Sequence, residues 1–291
     1  EICAALGKRA LVIGGHAGLA AVDTQIRHQL AASGIELVGL QWFGGECTEE
    51  NIERLAREVE VTGAEMVIGV GGGKALDTSK AVAVQRHVPI VTIPTIAATC
   101  AAVTPLTIRY HANGHFRDLF PLAQAPAAVI IDSEILATAP LRWLAAGLGD
   151  TLAKWYEFRP YLQKNPDNLG LQLKVQNARL AVDIYEKYGQ QAIHDNKAQV
   201  VSNALINVID ANIAVAGMAN SVRGEIPTPG VAHAIHNRLT HEPALRQWLH
   251  GERVGFSLLV QSILENDNSQ PDPVLLALLR SEERRVGKEC R

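Results

Sequence analysis

Residues 66–80 read MVIGVGGGKALDTSK, and the fold turns on this stretch. Met66–Val70 is a short, β-branched, fully apolar run of the kind that forms a buried strand. Three glycines, Gly71, Gly72 and Gly73, follow it, and from Ala75 to Gln85 the pattern is helical. Strand, glycine turn and helix together make an anion-binding turn. Glycines let backbone N–H groups approach a pyrophosphate closely, and the helix N-terminus adds partial positive charge. Lys74 is followed by Ala75 rather than Ser or Thr, which excludes a P-loop. The turn also lacks the GxGxxG spacing of the usual dinucleotide fingerprint, and as a bare tight turn it would bind nothing.

The same alternation extends on both sides. Ala10–Ile13 reads as a strand and about Ala20–Ala32 as a helix; Ile35–Leu40 is again a strand, and Thr48 is placed to cap a helix. Pro89–Ile93, Leu106–Tyr110 and Ala127–Ile131 are the later strand candidates. Strands alternating with helices predict an α/β, doubly wound, mostly parallel sheet of Rossmann-like kind. From Pro140 the strand signal stops. Trp143–Phe158, Leu169–Tyr188, Ala198–Gly217 and Val254–Leu264 carry helical apolar spacing. The expected organisation is therefore an α/β nucleotide-binding domain over 1–139 and an all-α domain over 140–279, with the boundary near Asp132–Pro140. Ligands of such sheets bind outside the strand carboxyl ends, so the cleft between the domains is the expected site.

Net charge is only −3 with the two signs interspersed, and aromatics are 5% of residues; both argue against a nucleic-acid partner. No uncharged apolar run approaches the roughly 18–20 residues of a membrane span. Four cysteines (Cys3, Cys47, Cys100, Cys290) without a CxxC pair fit free thiols and a cytoplasmic location. The chain opens on Glu1-Ile2-Cys3 without an initiator Met, and residues 280–291, RSEERRVGKECR, are abruptly charge-dense. A chain truncated at both ends is expected, with 280–291 a non-native tail resembling a gene-fragment scar in which Cys290 has no function.

Three pieces of the helical half bear chemistry: Gly149-Asp150-Thr151, the run VAHAIHN (Val231–Asn237) and Leu249-His250-Gly251-Glu252. His233 and His236, three apart, share a helix face. One carboxylate with two imidazoles leaves coordination positions open, an arrangement that suits catalytic Zn²⁺ or Fe²⁺. Ten histidines in the chain make chance clustering a real alternative.

GGGKALDTSKA resembles the GGGxxxDxAK signature of the iron-type alcohol dehydrogenase and glycerol dehydrogenase superfamily, whose fold is also that of dehydroquinate synthase. IPTIAAT (Ile93–Thr99) resembles its PTIAST-type loop, and GLGDTLAKWYE, AHAIHN and HGERVGF resemble its metal motifs. The resemblance covers nearly all of residues 8–265. It implies that Gly71, Gly72, Gly73 and Lys74 hold the pyrophosphate of NAD or NADP, with Asp77 and Thr78 close by. It nominates Thr95 as a cofactor contact, and Thr104, Leu106 and Tyr110 as lining the nicotinamide side. Each of these also reads as a plain strand-edge residue, and Asp77 with Lys80 as a surface ion pair. For one divalent metal, zinc ahead of iron, the implied ligands are Asp150, His233 and His250, with His236 beside them or facing the substrate as a proton carrier. The resemblance further implies a metal-dependent, NAD(P)-linked dehydrogenase acting on CH–OH groups of a small molecule, and a homo-oligomer.

Three departures bear on substrate. Cys100 stands where glycerol dehydrogenases carry an acidic residue that orients a polyol, and the IAATCAA version resembles a branch associated with 2-hydroxycarboxylate and 2-oxoacid reduction. Ile13-Gly14-Gly15-His16 has no acid to take a ribose 2′-OH, which leaves NADP open. Arg238 replaces the usual glycine after HN, adding a cation that favours a carboxylate substrate. The expected substrate is therefore a 2-hydroxy acid or 2-oxoacid, with Cys100 and His236 as catalytic candidates. The alternatives are a polyol dehydrogenase, a sugar-phosphate dehydrogenase or lyase on the same fold, and an inactive binding protein or fragment.

Overall fold

The computed structural model describes residues 2–265, 270–273, 275, 276 and 279. The expected tail, 280–291, lies outside the described residues. Two compact units divide the chain: Glu1–Ile96 with Ala101–Leu136, and Ala97–Cys100 with Ala137–Arg291. The division differs from a single cut near residue 139, because four residues from the middle of the α/β sequence fold with the helical unit.

The first unit contains, in chain order, β1 (Arg9–Gly14), α1 (His16–Ala32), β2 (Glu36–Trp42), α2 (Glu49–Thr62), β3 (Met66–Gly71), α3 (Gly73–Gln85), β4 (Ile90–Pro94), β5 (Leu106–Tyr110), β6 (Phe116–Pro121), β7 (Ala128–Val129) and a short α4 beginning at Ser133. Five strands form one parallel sheet in the order β2-β1-β3-β4-β7. The chain winds outward from β1 in one direction and from β3 in the other, so the order reverses between them, and that switch is where open α/β sheets bind ligands. Successive residues of β1 explain why both faces are covered. Ala10 and Val12 pack with Val22, Ile26 and Leu30 of α1, while Leu11 and Ile13 pack with Ile52, Leu55 and Val59 of α2 and with α3. Thr48 caps α2 as its sequence predicts, its hydroxyl accepting from Asn51 N at 3.3 Å.

β5 does not join this sheet. It pairs antiparallel with β6, a strand the sequence pattern did not reveal, across a turn in which Gly114 has φ +83°. Leu119 and Phe120 of β6 are exposed, so the inside/outside alternation that marks a strand is lost there.

The second unit consists of helices α5 (Leu141–Lys164), α6 (Leu169–Lys197), α7 (Asn203–Asp210), a π-helical stretch Ala211–Val215, α8 (Ala216–Ser221), α9 (Val231–Leu239) and α10 (His250–Glu265). The helix expected over Ala198–Gly217 is interrupted: Gln199 takes φ +55°, and Ser202 caps α7 by accepting from Leu205 N at 3.0 Å. No helix among the described residues is long and apolar enough to cross a membrane.

Buried Asn212, in the π-helical stretch, fixes the segment Ala97–Cys100 within this unit. Its amide donates to Ala97 O (2.8 Å) and Leu144 O (3.1 Å) and accepts from the Tyr185 hydroxyl (2.5 Å). A π-bulge widens a helix locally and lets a side chain reach partners that α geometry would deny it.

Candidate functional site

At the switch between β1 and β3, two helices begin side by side. Gly15 caps α1 and Gly72 caps α3, so neither helix is closed by the side chain of its own capping residue. Gly71 has φ +131°, a conformation closed to other residues. Thr95 closes the turn from β4: its N–H donates to Gly71 O at 3.1 Å. Lys74 pairs with Glu46 at 2.5 Å and lies 5.6 Å from the centre of the Tyr110 ring. The predicted Gly71, Gly72, Gly73, Lys74 and Thr95 are thus gathered at one turn, with Tyr110 reached through Lys74.

Asp77, Thr78, Thr104 and Leu106, also predicted at the cofactor, make contacts within the α/β unit. Asp77 and Lys80 form a buried ion pair (2.9 Å), not a surface one; Lys80 is fully buried and donates to the Thr104 and Leu106 carbonyls at 3.0 and 2.5 Å. The other Asp77 oxygen accepts from Ile108 N at 3.0 Å. Together they staple β5 to α3. Thr78 is wholly buried, its hydroxyl donating to Lys74 O at 2.8 Å.

The second constellation lies within the helical unit. Asp150, Lys154 and Glu157 recur at i, i+4 and i+7 on α5, which places all three on one buried helix face. α10 crosses this helix at small residues. A Cβ on Gly149 would come within 2.6 Å of Gly251 O, and one on Gly251 would overlap the Ala146 carbonyl. The backbones can approach only because both are glycine. His250, first residue of α10, thereby reaches Asp150, its Nε2 3.3 Å from Oδ1. Glu252 fixes that helix end: one oxygen accepts from Leu249 N at 2.7 Å, and both grip Arg142 of α5 at 2.5 and 2.7 Å.

α9 is placed by its missing caps. Gly230 caps it without a side chain, and the orphan N–H groups are satisfied by other helices: Ala232 N donates to Gln261 Oε1 (3.0 Å) and His233 N to Glu157 Oε1 (2.9 Å). The second Glu157 oxygen accepts from His233 Nδ1 at 2.7 Å, which leaves Nε2 facing Asp150 Oδ1 at 3.3 Å. One carboxylate therefore both caps the helix and sets the imidazole.

Potential donor atoms of Asp150, His233 and His250 all lie within 4.8 Å of one another. Both imidazoles have Nδ1 engaged by a neighbour and Nε2 turned to Asp150, the orientation a metal needs. The Glu157 carboxylate accepts a hydrogen bond from His233 Nδ1–H. His250 Nδ1 lies 3.0 Å from His236 Nε2, and His236 Nδ1 lies 3.1 Å from Asn237 Oδ1. Protons on both Nδ1 atoms satisfy that chain and free Nε2 of His250. His236 is almost wholly buried, and burial pushes it down to about 2, so it stays neutral. The structure thus places it as the residue that orients His250. This donor set fits a divalent cation with open positions.

Electrostatics agree with that fit. Burial works against an ionised Asp150, but Lys154 and the two imidazoles outweigh it and hold the carboxyl well below its usual range. Burial likewise opposes charge on His233, yet Glu157 and Asp150 raise it to about 9. In the metal-free protein its proton thus contributes stability that is fully present below the ordinary imidazole value near 6.5 and is lost as pH rises through 9. Metal must displace that proton. Proton competition at His233 should therefore make apparent metal affinity climb by up to about tenfold per pH unit as pH rises toward 9 and then level off, as read by chelator competition. Glu157→Gln should lower metal affinity about 10- to 100-fold, because an amide cannot accept from both donors without turning its NH₂ on one of them. Circular dichroism should show the helices retained.

Cys100 lies in this unit, 6% exposed; Asn220 Nδ2 reaches its sulfur at 3.5 Å, and it bears on the Lys154 ammonium. Arg238 is exposed in the last turn of α9. Among the described residues, the cation that touches Asp150 is Lys154, at 3.1 Å. The sequence reading missed it and Glu157, although their spacing from Asp150 was the available signal.

The sequence model of the family described as iron-containing alcohol dehydrogenase matches residues 1–133. Hydroxycarboxylate dehydrogenase A of Escherichia coli (strain K12) is 38% identical over 258 residues, 88% of this chain and 70% of that protein. Glycerol dehydrogenase of Pseudomonas putida is 36% identical over 260 residues, again 88% and 70%. The crystal structure of a probable glycerol dehydrogenase from Sinorhizobium meliloti 1021 superposes with a TM-score of 0.83 at 33% identity, covering 98% of this chain and 77% of that one. With the α/β sheet, the glycine turn and the preset triad, these likenesses show that the chain belongs to the iron-containing alcohol dehydrogenase family, whose members are dehydrogenases acting on CH–OH groups.

Proposed function

We propose that the protein exchanges a hydride between NAD(P) and the CH–OH or C=O carbon of a 2-hydroxy acid or 2-oxoacid. The observation that carries the metal-dependent chemistry is the pair of imidazoles whose Nδ1 atoms are engaged and whose Nε2 atoms converge on Asp150. A divalent ion bound there, zinc or iron, would supply Lewis acidity to the substrate oxygen, and the nicotinamide would supply or take the hydride. The chain's own part is to orient. Glu157 and His236 keep Nε2 of both imidazoles available, and the glycine turn with Lys74 and Thr95 supplies the N–H groups and charge for a pyrophosphate.

The acid is favoured over a polyol by Cys100, which by the family resemblance stands where glycerol dehydrogenases carry a carboxylate, and by the relative named for hydroxycarboxylates. The relatives named glycerol dehydrogenase favour the second reading, a neutral polyol. One assay separates them. The purified chain, loaded with Zn²⁺ or Fe²⁺, is supplied with NADH or NADPH and either a series of 2-oxoacids or dihydroxyacetone and simple aldehydes. Turnover of the acids at lower KM is expected; turnover of the neutral carbonyls alone would sink the acid reading.

A further inference from the structure

Lys154 is 2% exposed, in the fourth position after Asp150 on α5, and its Nζ lies 3.1 Å from Asp150 Oδ1 and 3.0 Å from the Asp150 carbonyl. Oδ1 is the same oxygen that both imidazoles approach at 3.3 Å. A buried ammonium is costly unless something requires it, and a ligand set for a divalent cation gains nothing from a like charge beside it. A count of charges shows what the lysine changes. Asp150 and Glu157 contribute two negative charges and Lys154 one positive charge, while neutral imidazoles add none. A divalent ion then leaves this inner set with one net positive charge. Without Lys154 the inner set and its metal would be neutral. A neutral diol leaves the extra charge uncompensated, whereas a monoanion cancels it.

We propose that the Lys154 ammonium, buried against Asp150, makes the loaded site select a carboxylate-bearing ligand, a 2-hydroxy or 2-oxo acid, over its uncharged counterpart. The inference rests on the acid reading above and assigns that selectivity to one residue. Specificity here is a difference of affinities, and it is built by leaving a charge that only one class of ligand satisfies.

Cobalt(II) serves as a visible probe of the metal site, with glycolate and ethylene glycol as a pair that differs in the carboxylate. The Co²⁺-loaded protein is titrated with each while its d–d absorption is followed, without nucleotide or turnover. Wild type is expected to bind glycolate more tightly. Lys154→Met and Lys154→Gln should each lose about 10- to 100-fold of that preference, the effect of one unit charge roughly 6 to 12 Å from the ligand carboxylate at an effective dielectric near 20, and should bind Co²⁺ more tightly. Lys154→Arg should keep the preference. Undiminished preference in both neutral variants overturns the role of Lys154. Absence of any preference in wild type instead sinks the acid reading before a variant is made, so the two failures are told apart. Failure of both neutral variants to take up cobalt would show that Lys154 holds the ligands in place structurally, and that also overturns the inference.

Discussion

Asp150→Asn should leave the protein without bound metal and close to 3 kcal/mol less stable. Two losses coincide at this residue. The triad loses its only carboxylate, and with it the attraction that draws a cation between two imidazoles; metal content by mass spectrometry after gel filtration should fall to background. Lys154 also loses the charge that compensates its burial, and breaking one side of a buried pair costs about 3–5 kcal/mol. Denaturant unfolding of the metal-free proteins isolates the second effect, since no metal then contributes to either. A metal-free variant as stable as metal-free wild type would mean that the Lys154–Asp150 pair is neutral to the fold.

Gly251→Ala is expected to do comparable damage by shape alone. An added Cβ overlaps the Ala146 carbonyl, which belongs to the backbone of α5 and cannot rotate aside. The two helices must move apart, at a cost of about 1–3 kcal/mol or more. His250 sits next to this residue at the head of α10, so the same displacement pulls its Nε2 from Asp150 and weakens metal binding. Gly255→Ala, one turn along, is the control. Its Cβ would meet Leu279 Cδ2 at 3.6 Å and Gly149 Cα at 3.8 Å, ordinary contacts, and alanine favours a helix by roughly 1 kcal/mol. Thermal melts and metal content should separate the pair; a Gly251→Ala protein as stable and as metal-replete as Gly255→Ala would show that the crossing has slack.

Much of the fold was legible because local pattern and tertiary burial agree. The MVIGV run before three glycines and the Thr48 cap each carry their structure in a few adjacent residues. The strand at Phe116–Pro121 does not, since its outward-facing Leu119 and Phe120 erase the alternation that would announce it. The triad was nominated by the resemblance of the GLGDTLAKWYE, AHAIHN and HGERVGF stretches to family motifs, since histidine spacing left chance clustering open. Its support was not legible. Glu157 matters because α9 begins at its carboxylate, and Lys154 because two other helices deliver imidazoles to the oxygen it holds; both facts depend on contacts between segments about 80 to 100 residues apart. For the same reason Lys80 passed as a surface partner of Asp77 when the fold encloses it completely.

Asn212 has a consequence for how this chain can be made and divided. Its amide donates to Ala97, 115 residues earlier, so the helical unit owns a strip of polypeptide translated well before its own first helix. The strip must wait, bounded by segments of the other unit, until the π-helical turn emerges to claim it. Contacts of such long range are slow to close. A single cut near residue 139 would separate the amide from its acceptor and leave a buried polar group unmatched. Independent expression of the metal-bearing half would therefore require the 97–100 strip to be grafted back, for instance through a circularly permuted gene.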